Sequence, residues 1–150
     1  MYLKLLYLAY KIFCFIFRPV RTGVRVVLLQ GNEVMLVRHT YVPGWFLPGG
    51  GLKRNETLDQ AARREAYEET GAELNDLTLA GVFTSFIQWK TDHAIVFLCR
   101  DFKITGRSDN EIAEMRLFAL DELPADTFPL HRRLLESYRS GRIPANFGEW

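Results

Sequence analysis

The chain has 150 residues, 48% of them apolar and 13% aromatic, which is enough to bury the core of one globular domain. Nineteen basic and 18 acidic side chains give a formal charge of +1. This balance excludes a global field that would steer the protein onto nucleic acid, so no DNA partner is expected. Cys14 and Cys99 lie in apolar runs without metal-ligand spacing, which favours two reduced core thiols and a cytoplasmic protein.

The first 17 residues are apolar and aromatic, interrupted only by Lys4 and Lys11. The run is short for a membrane span and lacks a small-residue cleavage site of the A-x-A kind. Because the two lysines are seven positions apart and share a helical face, we predict an amphipathic helix within residues 1–20 and a main domain over 21–150. Packing against its own domain or in a homodimer, peripheral membrane contact and a true span all remain open for residues 1–17.

A hairpin and further strands follow Pro19. The runs "VRVVLL" (24–29) and "EVMLVR" (33–38) flank a connection that contains Gly31 and Asn32, a pattern typical of a β-hairpin. The later predicted elements are a short strand within 44–52, strands within 77–87, 94–102 and 115–120, and a helix over 130–140. With one prominent helix between the strands, the pattern indicates an α/β domain.

That prominent helix is predicted from about Leu58 to Thr70. Thr57 followed by Gln60 matches a capping box, and Gly71 stands where a left-handed C-terminal residue is expected. A stripe of small apolar side chains would let the helix lie close to a sheet: Leu58, Ala61, Ala62 and Ala66.

Three carboxylates share one edge of this helix, because Glu65, Glu68 and Glu69 have the spacing i, i+3 and i+4. Like charges at this spacing repel and raise a proton affinity unless a cation neutralises them. Carboxylate oxygens are hard ligands, and neither histidine nor cysteine stands close by in the sequence. The pattern therefore predicts a site for Mg²⁺ or Mn²⁺.

A longer pattern surrounds these carboxylates, G-x5-E-x7-R-E-U-x-E-E-x-G-U. It is matched by Gly50, Glu56, Arg64, Glu65, Ala66, Glu68, Glu69, Gly71 and Ala72. This is the complete Nudix box, and the chain therefore resembles the Nudix hydrolases, the MutT-like pyrophosphohydrolases. The lead-in "WFLPGGGL" and the later "EMRLFALDELP" also resemble the family. The resemblance implies an α/β/α sandwich with a mixed β-sheet and a loop-helix-loop catalytic motif.

The resemblance also implies a reaction, the Mg²⁺-dependent hydrolysis of the pyrophosphate linkage in a nucleoside triphosphate or a nucleoside diphosphate derivative by metal-activated water. Glu68 and Glu69 would be the principal metal ligands, and Glu65 would be a ligand or the general base. Glu56 would complete the ligand shell, and Arg64 would orient the carboxylates through ion pairs.

Further site residues are predicted outside the helix. The Gly49 carbonyl could add a metal ligand, because glycines let the backbone approach the ion closely. Family members often recruit a later acid, for which Glu111 and Glu114 are the alternatives. Four side chains are predicted to contact the substrate: Arg38, Trp45, Phe83 and Trp89. Three more could line the pocket: His39, Tyr41 and Phe86.

Markers of three Nudix subgroups are absent. The proline of ADP-ribose hydrolases corresponds to Gln88, and the tyrosine of dinucleoside polyphosphate hydrolases corresponds to Trp89 or Lys90. The SQPWPFP-like segment of NADH hydrolases is missing. The sequence therefore disfavours membership of these three subgroups, although Trp89 could still stack on a base.

Two other functions share the fold. A nucleotide-sensing or regulatory module without turnover is the main alternative, but it would not need every carboxylate of the box. An isomerase of the isopentenyl-diphosphate type would need a catalytic cysteine, and neither Cys14 nor Cys99 stands near the box.

Overall fold

The computed structural model describes residues 2–141 and 147–150, apart from the side chain of Tyr2, and these ranges contain three α-helices and eight β-strands. The helices are α1 (Tyr2–Phe17), α2 (Leu58–Thr70) and α3 (Pro129–Arg139). The strands are β1 (Val20–Gln30), β2 (Glu33–His39), β3 (Ala72–Leu74), β4 (Thr78–Ser85), β5 (Thr91–Cys99), β6 (Phe102–Ile104), β7 (Ile112–Ala119) and β8 (Phe147–Glu149).

Six strands form a mixed sheet in the order β7-β2-β1-β5-β4-β8, and β3 pairs with β6 in a separate ribbon. The pairs β1–β5 and β4–β8 are parallel, and the other neighbours are antiparallel. The predicted hairpin is confirmed: Gln30 pairs with Glu33, and Gly31 closes the turn at φ +61°.

Two core clusters lie on opposite faces of the sheet, because neighbouring residues of a strand point to opposite sides. Val24, Val26 and Leu28 of β1 pack with the α2 alanines in the first cluster. Val27 and Leu29 pack in the second cluster with leucines of α3. One helix therefore covers each face, and the predicted α/β/α sandwich is confirmed.

Helix α2 has the predicted ends. The Gln60 backbone N–H donates to the Thr57 hydroxyl at 3.2 Å, and the Thr57 N–H donates to the Gln60 side chain at 2.9 Å. Gly71 ends the helix at φ +69°, and its N–H donates to the Tyr67 carbonyl at 2.8 Å. The box helix therefore begins and ends where its local sequence requires.

The strand predicted within 44–52 is wrong as a regular element, since this segment makes only isolated bridges. It pairs with Val37 of β2 through Phe46, and the N–H groups of Val26 and Val24 then donate to the Pro48 and Gly50 carbonyls at 2.9 Å each. A proline without an N–H group and three consecutive glycines break the ladder. The segment therefore runs from β2 to β1 as a bound loop.

Helix α1 packs on the domain along one stripe. Tyr7 and Tyr10 are half-buried and Cys14 is fully buried, whereas the opposite side of the helix is exposed. None of the three helices in the described ranges has the length and apolarity that crossing a bilayer requires.

Candidate active site

The three carboxylates of helix α2 differ in how far they are exposed to solvent. The side chains of Glu65 and Glu69 are 13% and 10% exposed, whereas that of Glu68 is 40% exposed. The buried pair points toward the loop of Gly49, Gly50 and Gly51 that precedes the helix. Two acidic groups therefore lie in a low-dielectric position at the base of a loop that consists of backbone alone.

Arg64 connects three of the carboxylates. Its Nε and Nη2 atoms donate to the two Glu56 oxygens at 2.6 and 2.9 Å. Its Nη1 atom donates to Glu65 at 2.6 Å and to Glu68 at 3.0 Å, and Nη2 also reaches the Gly51 carbonyl at 3.1 Å. This guanidinium lowers the pKa of Glu56 to about 2. A planar fork can hold several oxygens at once, so one side chain fixes the arrangement.

Glu69 is the most deeply buried of the four acids. The Gly49 N–H donates to its Oε2 atom at 2.9 Å, and its Oε1 atom lies 3.8 Å from His39 Nε2. Burial is the main cause that raises the pKa of Glu69 to about 8, and it also raises the pKa of Glu65. Burial lowers the pKa of His39, which disfavours a charged imidazolium beside Glu69.

The glycine loop leaves no room for side chains at two positions. Gly49 has φ +144°, and a Cβ atom there would collide with the Val24 carbonyl. A Cβ atom at Gly50 would lie 2.6 Å from both Glu65 carboxylate oxygens. The loop backbone therefore lies directly against the buried acids.

The donor set suits a hard divalent cation. Four carboxylates supply only oxygen ligands, and burial raises the pKa of Glu65 and Glu69, so that positive charge beside them would stabilise their ionised forms. In the described parts of the chain, no three acidic, histidine or cysteine side chains stand together as a ready ion site. The Arg64 guanidinium occupies the space among Glu56, Glu65 and Glu68 and takes their oxygens.

A cavity of about 610 Å³ opens beside these acids. The glycine loop, Glu65 and Glu69 form one part of its wall. Three cationic side chains also line it: Arg21, Arg25 and Lys90. Its aromatic lining includes Tyr7, Tyr10, Tyr41, Phe46, Phe83 and Trp150. The cavity thus combines carboxylates, cations and aromatic rings, which suits an anionic ligand with a planar ring.

Of the four predicted substrate contacts, the structure brings only Phe83 to this cavity. Trp45 is 3% exposed and packs on Phe118 in the second core cluster, with ring centroids 4.7 Å apart. The Arg38 guanidinium lies 4.5 Å from the Trp45 ring centroid. Since neighbouring strand residues face opposite sides, Arg38 points away from the cavity while His39 lines it.

Trp89 lies outside the cavity as well. It ends a short 3₁₀ turn over Ile87–Trp89, in which Gln88 and Trp89 both have φ +57°. This backbone turns Gln88 into the cavity wall and leaves Trp89 half exposed against Phe15 of α1. Phe86, another predicted pocket residue, is 62% exposed and does not line the cavity.

The two alternatives for a later acid are separated by the structure. Glu111 lines the cavity beside Tyr41, whose pKa is raised by burial and by this carboxylate. Glu114 pairs instead with Arg116 at 2.9 Å and with Arg38 at 3.7 Å, away from the cavity. Glu111 is therefore the acid that the fold brings to the site.

Sequence reasoning missed the wall formed by α1 and the start of β1. Arg21 donates to the Tyr10 hydroxyl at 2.5 Å, and the Gln88 amide donates to the Tyr7 hydroxyl at 3.3 Å. Two sequence patterns could have indicated this wall. The two tyrosines have i, i+3 spacing and share one face of the helix, and Arg21 and Arg25 are an even number of residues apart and share one face of the strand. Neither pattern shows by itself that both segments line the same cavity as the glycine loop.

Comparison with known proteins gives the family. The NUDIX domain model matches residues 19–138. The chain is 29% identical over 117 residues to the ADP-ribose pyrophosphatase of Methanocaldococcus jannaschii, covering 75% of this chain and 69% of that protein. It is also 29% identical over 123 residues to the human diphosphoinositol polyphosphate phosphohydrolase 2, covering 78% and 68%.

A solved structure agrees with these matches. The MutT NUDIX hydrolase from Burkholderia pseudomallei superposes with a TM-score of 0.71 at 27% identity, covering 78% of this chain and 96% of that one. Fold, box and family model thus coincide over the same region, and the chain belongs to the Nudix family as one of its pyrophosphohydrolases.

Proposed function

We propose that this protein is a Mg²⁺- or Mn²⁺-dependent hydrolase that cleaves the pyrophosphate linkage of a nucleoside triphosphate or a nucleoside diphosphate derivative. The observation that carries the proposal is the buried pair Glu65 and Glu69 against the glycine loop, in the wall of a cavity that three cationic side chains also line. Burying carboxylates of raised pKa lowers the stability of the fold, and such groups are concentrated at functional sites.

The ion would be held by Glu68 and Glu69, with Glu56 and the Gly49 carbonyl completing the shell and Glu65 either as a further ligand or as the general base. When bound, it would offset the charge of the pyrophosphate oxygens and lower the pKa of the attacking water. Arg64 then acts as a positioning residue, because it contacts three of these acids and the loop carbonyl.

The proton of the attacking water needs an acceptor within the site. Glu65, as ligand or general base, lies against Gly50 of the glycine loop, and Glu111 is a second acid in the cavity wall. We favour Glu65 because Arg64 fixes its carboxylate at 2.6 Å. A base must be held in one geometry to act efficiently.

The cavity lining supports a substrate with phosphates and a ring. Arg21, Arg25 and Lys90 would attract phosphate oxygens, and Phe83 and Tyr41 offer faces for a base. The related proteins named above act, by their names, on ADP-ribose and on diphosphoinositol polyphosphates. Since the ADP-ribose marker is absent here, we place nucleoside triphosphates first.

The test is release of phosphate and pyrophosphate from nucleoside triphosphates, oxidised nucleotides, ADP-ribose, dinucleoside polyphosphates and nucleotide sugars, with Mg²⁺ and with chelator. We expect Mg²⁺-dependent turnover of one group. Glu68→Gln should lower that turnover by about 10²-fold or more. Glu136→Gln is the matched control, because Glu136 is similarly exposed, at 49% against 40%, and pairs with Arg132 at i, i+4 as Glu68 pairs with Arg64.

Unchanged turnover in Glu68→Gln would contradict the ligand assignment. Tight nucleotide binding without turnover of any substrate would favour the sensing or regulatory module instead. We also propose a cytoplasmic location, supported by the two buried free thiols, and a division into residues 1–20 and 21–150, supported by a family match that begins at residue 19.

A further inference from the structure

Helix α1 presents a broad apolar surface to solvent. Eight large apolar side chains between Leu5 and Phe17 are 47 to 65% exposed, and we name them the outer face of α1: Leu5, Leu6, Leu8, Ile12, Phe13, Phe15, Ile16 and Phe17. A contiguous apolar surface of this kind on a soluble domain marks a contact with a partner. The family match leaves this helix out, since it begins at residue 19.

The opposite face of the helix cannot exchange with the outer face. Cys14 is fully buried, Tyr10 accepts a hydrogen bond from Arg21, and Tyr7 accepts one from Gln88. A rotation of α1 would break these contacts with the domain. These contacts therefore keep the outer face of α1 exposed to solvent.

Two aromatic side chains extend the outer face beyond the helix. Trp89 is 50% exposed and meets Phe15 edge-on, with ring centroids 5.4 Å apart. Phe86, which precedes the same turn, is 62% exposed. Exposed tryptophan and phenylalanine beside an apolar helix are typical of surfaces that rest at the boundary between lipid and water.

The charges around this surface have one sign. Residues 1–32 contain five lysines and arginines and no acidic residue. Beside the outer face, a shallow groove of about 520 Å³ is lined by Lys11, Arg18 and Lys90 together with Phe86 and Trp89, and its lining includes no acidic side chain. The charge of Lys90 is shared with Asp92, 3.5 Å away. Cations next to an apolar face complement a layer of lipid phosphates above acyl chains.

We propose that the outer face of α1, with Phe86 and Trp89, docks on the surface of an anionic phospholipid bilayer and that the Lys11–Arg18–Lys90 groove receives a lipid phosphate. A second copy of the chain would also cover the apolar side chains. However, it would bring the basic flanks of both helices to one interface, where α1 offers no acidic residue to offset them. Lys90 lines both this groove and the cavity at the box, but docking on lipid does not require the reaction at the box.

The test is co-sedimentation of the full chain with vesicles of phosphatidylcholine alone and of phosphatidylcholine mixed with phosphatidylglycerol. Each exposed basic side chain near an anionic surface strengthens binding by about fivefold, so Lys11 and Arg18 should together give on the order of 25-fold stronger binding to the mixed vesicles. Lys90 should add little, because its side chain is only 15% exposed and pairs with Asp92. High salt should remove most of this difference.

Two variant pairs locate the contact. Leu8→Glu should abolish binding, whereas Leu79→Glu on β4, where the leucine is comparably exposed, should leave it unchanged. Arg18→Glu should remove the preference for anionic vesicles, and Arg116→Glu on the distant strand β7 should not. Circular dichroism and hydrolysis of a soluble substrate report whether each variant is folded.

Failure to sediment with either vesicle type, or equal binding to both, would overturn the proposal. A full chain that is dimeric in solution, becomes monomeric in Leu8→Glu and ignores vesicles would assign the outer face to a second copy. Neither result would bear on the hydrolase proposal, whose readout is turnover of a soluble nucleotide.

Discussion

Adding one methyl group at Gly50 should displace Glu65 and lower activity without unfolding the protein. The alanine Cβ would lie 2.6 Å from both carboxylate oxygens of Glu65. Ordinary van der Waals separation requires the carboxylate to move by roughly 1 Å. The Gly50 backbone is outside the left-handed region, so alanine itself is not strained there.

The carboxylate cannot move freely, because Arg64 Nη1 holds it at 2.6 Å. Moving a reacting or ligating group by about 1 Å costs on the order of 10² in rate, which corresponds to about 2.7 kcal/mol of activation free energy. Since Glu65 is the far end of a flexible side chain, we expect the free energy of unfolding to change by less than about 1 kcal/mol.

Gly51→Ala is the matched control. Its Cβ atom would meet only the end of the Arg21 guanidinium, at 3.1 Å. The assay is kcat/KM at saturating Mg²⁺ for both variants, with urea unfolding alongside. Wild-type activity in the Gly50→Ala variant would refute the reasoning, since it would show that the position of Glu65 against the loop does not matter. Gly51→Ala, whose methyl group meets only Arg21, separates this effect from that of a methyl group elsewhere in the loop.

Two more predictions concern Arg64 and the buried His131. Arg64→Lys keeps the charge but loses the planar guanidinium that binds three acids, so it should lower activity by about 10- to 100-fold and raise the Mg²⁺ concentration needed for half-maximal activity. Arg132→Lys on α3, which changes a comparable i, i+4 pair, should do neither. An unchanged Mg²⁺ dependence of Arg64→Lys would contradict this prediction. His131 accepts a hydrogen bond from the Leu47 N–H at 3.0 Å, and burial lowers its pKa well below 6.5. The unfolded chain therefore binds the extra proton, and stability should fall below pH 6.5 by up to about 1.4 kcal/mol per pH unit. His131→Gln should remove this part of the slope in urea titrations across pH; parallel curves for the two proteins would contradict it.

The local sequence determined helix α2, which carries the box. Its limits depend on contacts within three or four residues, as in the Thr57–Gln60 capping box and the Gly71 C-cap. The shared edge of Glu65, Glu68 and Glu69 depends only on the helical repeat. The β1–β2 hairpin is local in the same sense, since its turn fixes its register.

Strand limits depended on distant partners. Strand β1 extends back to Val20 because β5 pairs with it from Thr91 onward. The apolar run 94–102 was expected as one strand, but it is divided between β5 and β6, where the Asp76 carboxylate accepts hydrogen bonds from the Arg100 and Asp101 N–H groups. A strand ends where its partner strand ends, and the local sequence pattern does not show where the partner ends.

The substrate side of the site was decided by tertiary structure. Whether an aromatic or basic residue reaches the cavity depends on which face of the sheet it occupies and which segment covers it, so Trp45 is in the core while Tyr10 lines the wall. Periodicity gives faces but does not say which face meets the site. The sequence alone therefore determined the family, the box helix and its acids, and only the packing of α1, β1 and the glycine loop decided what surrounds them.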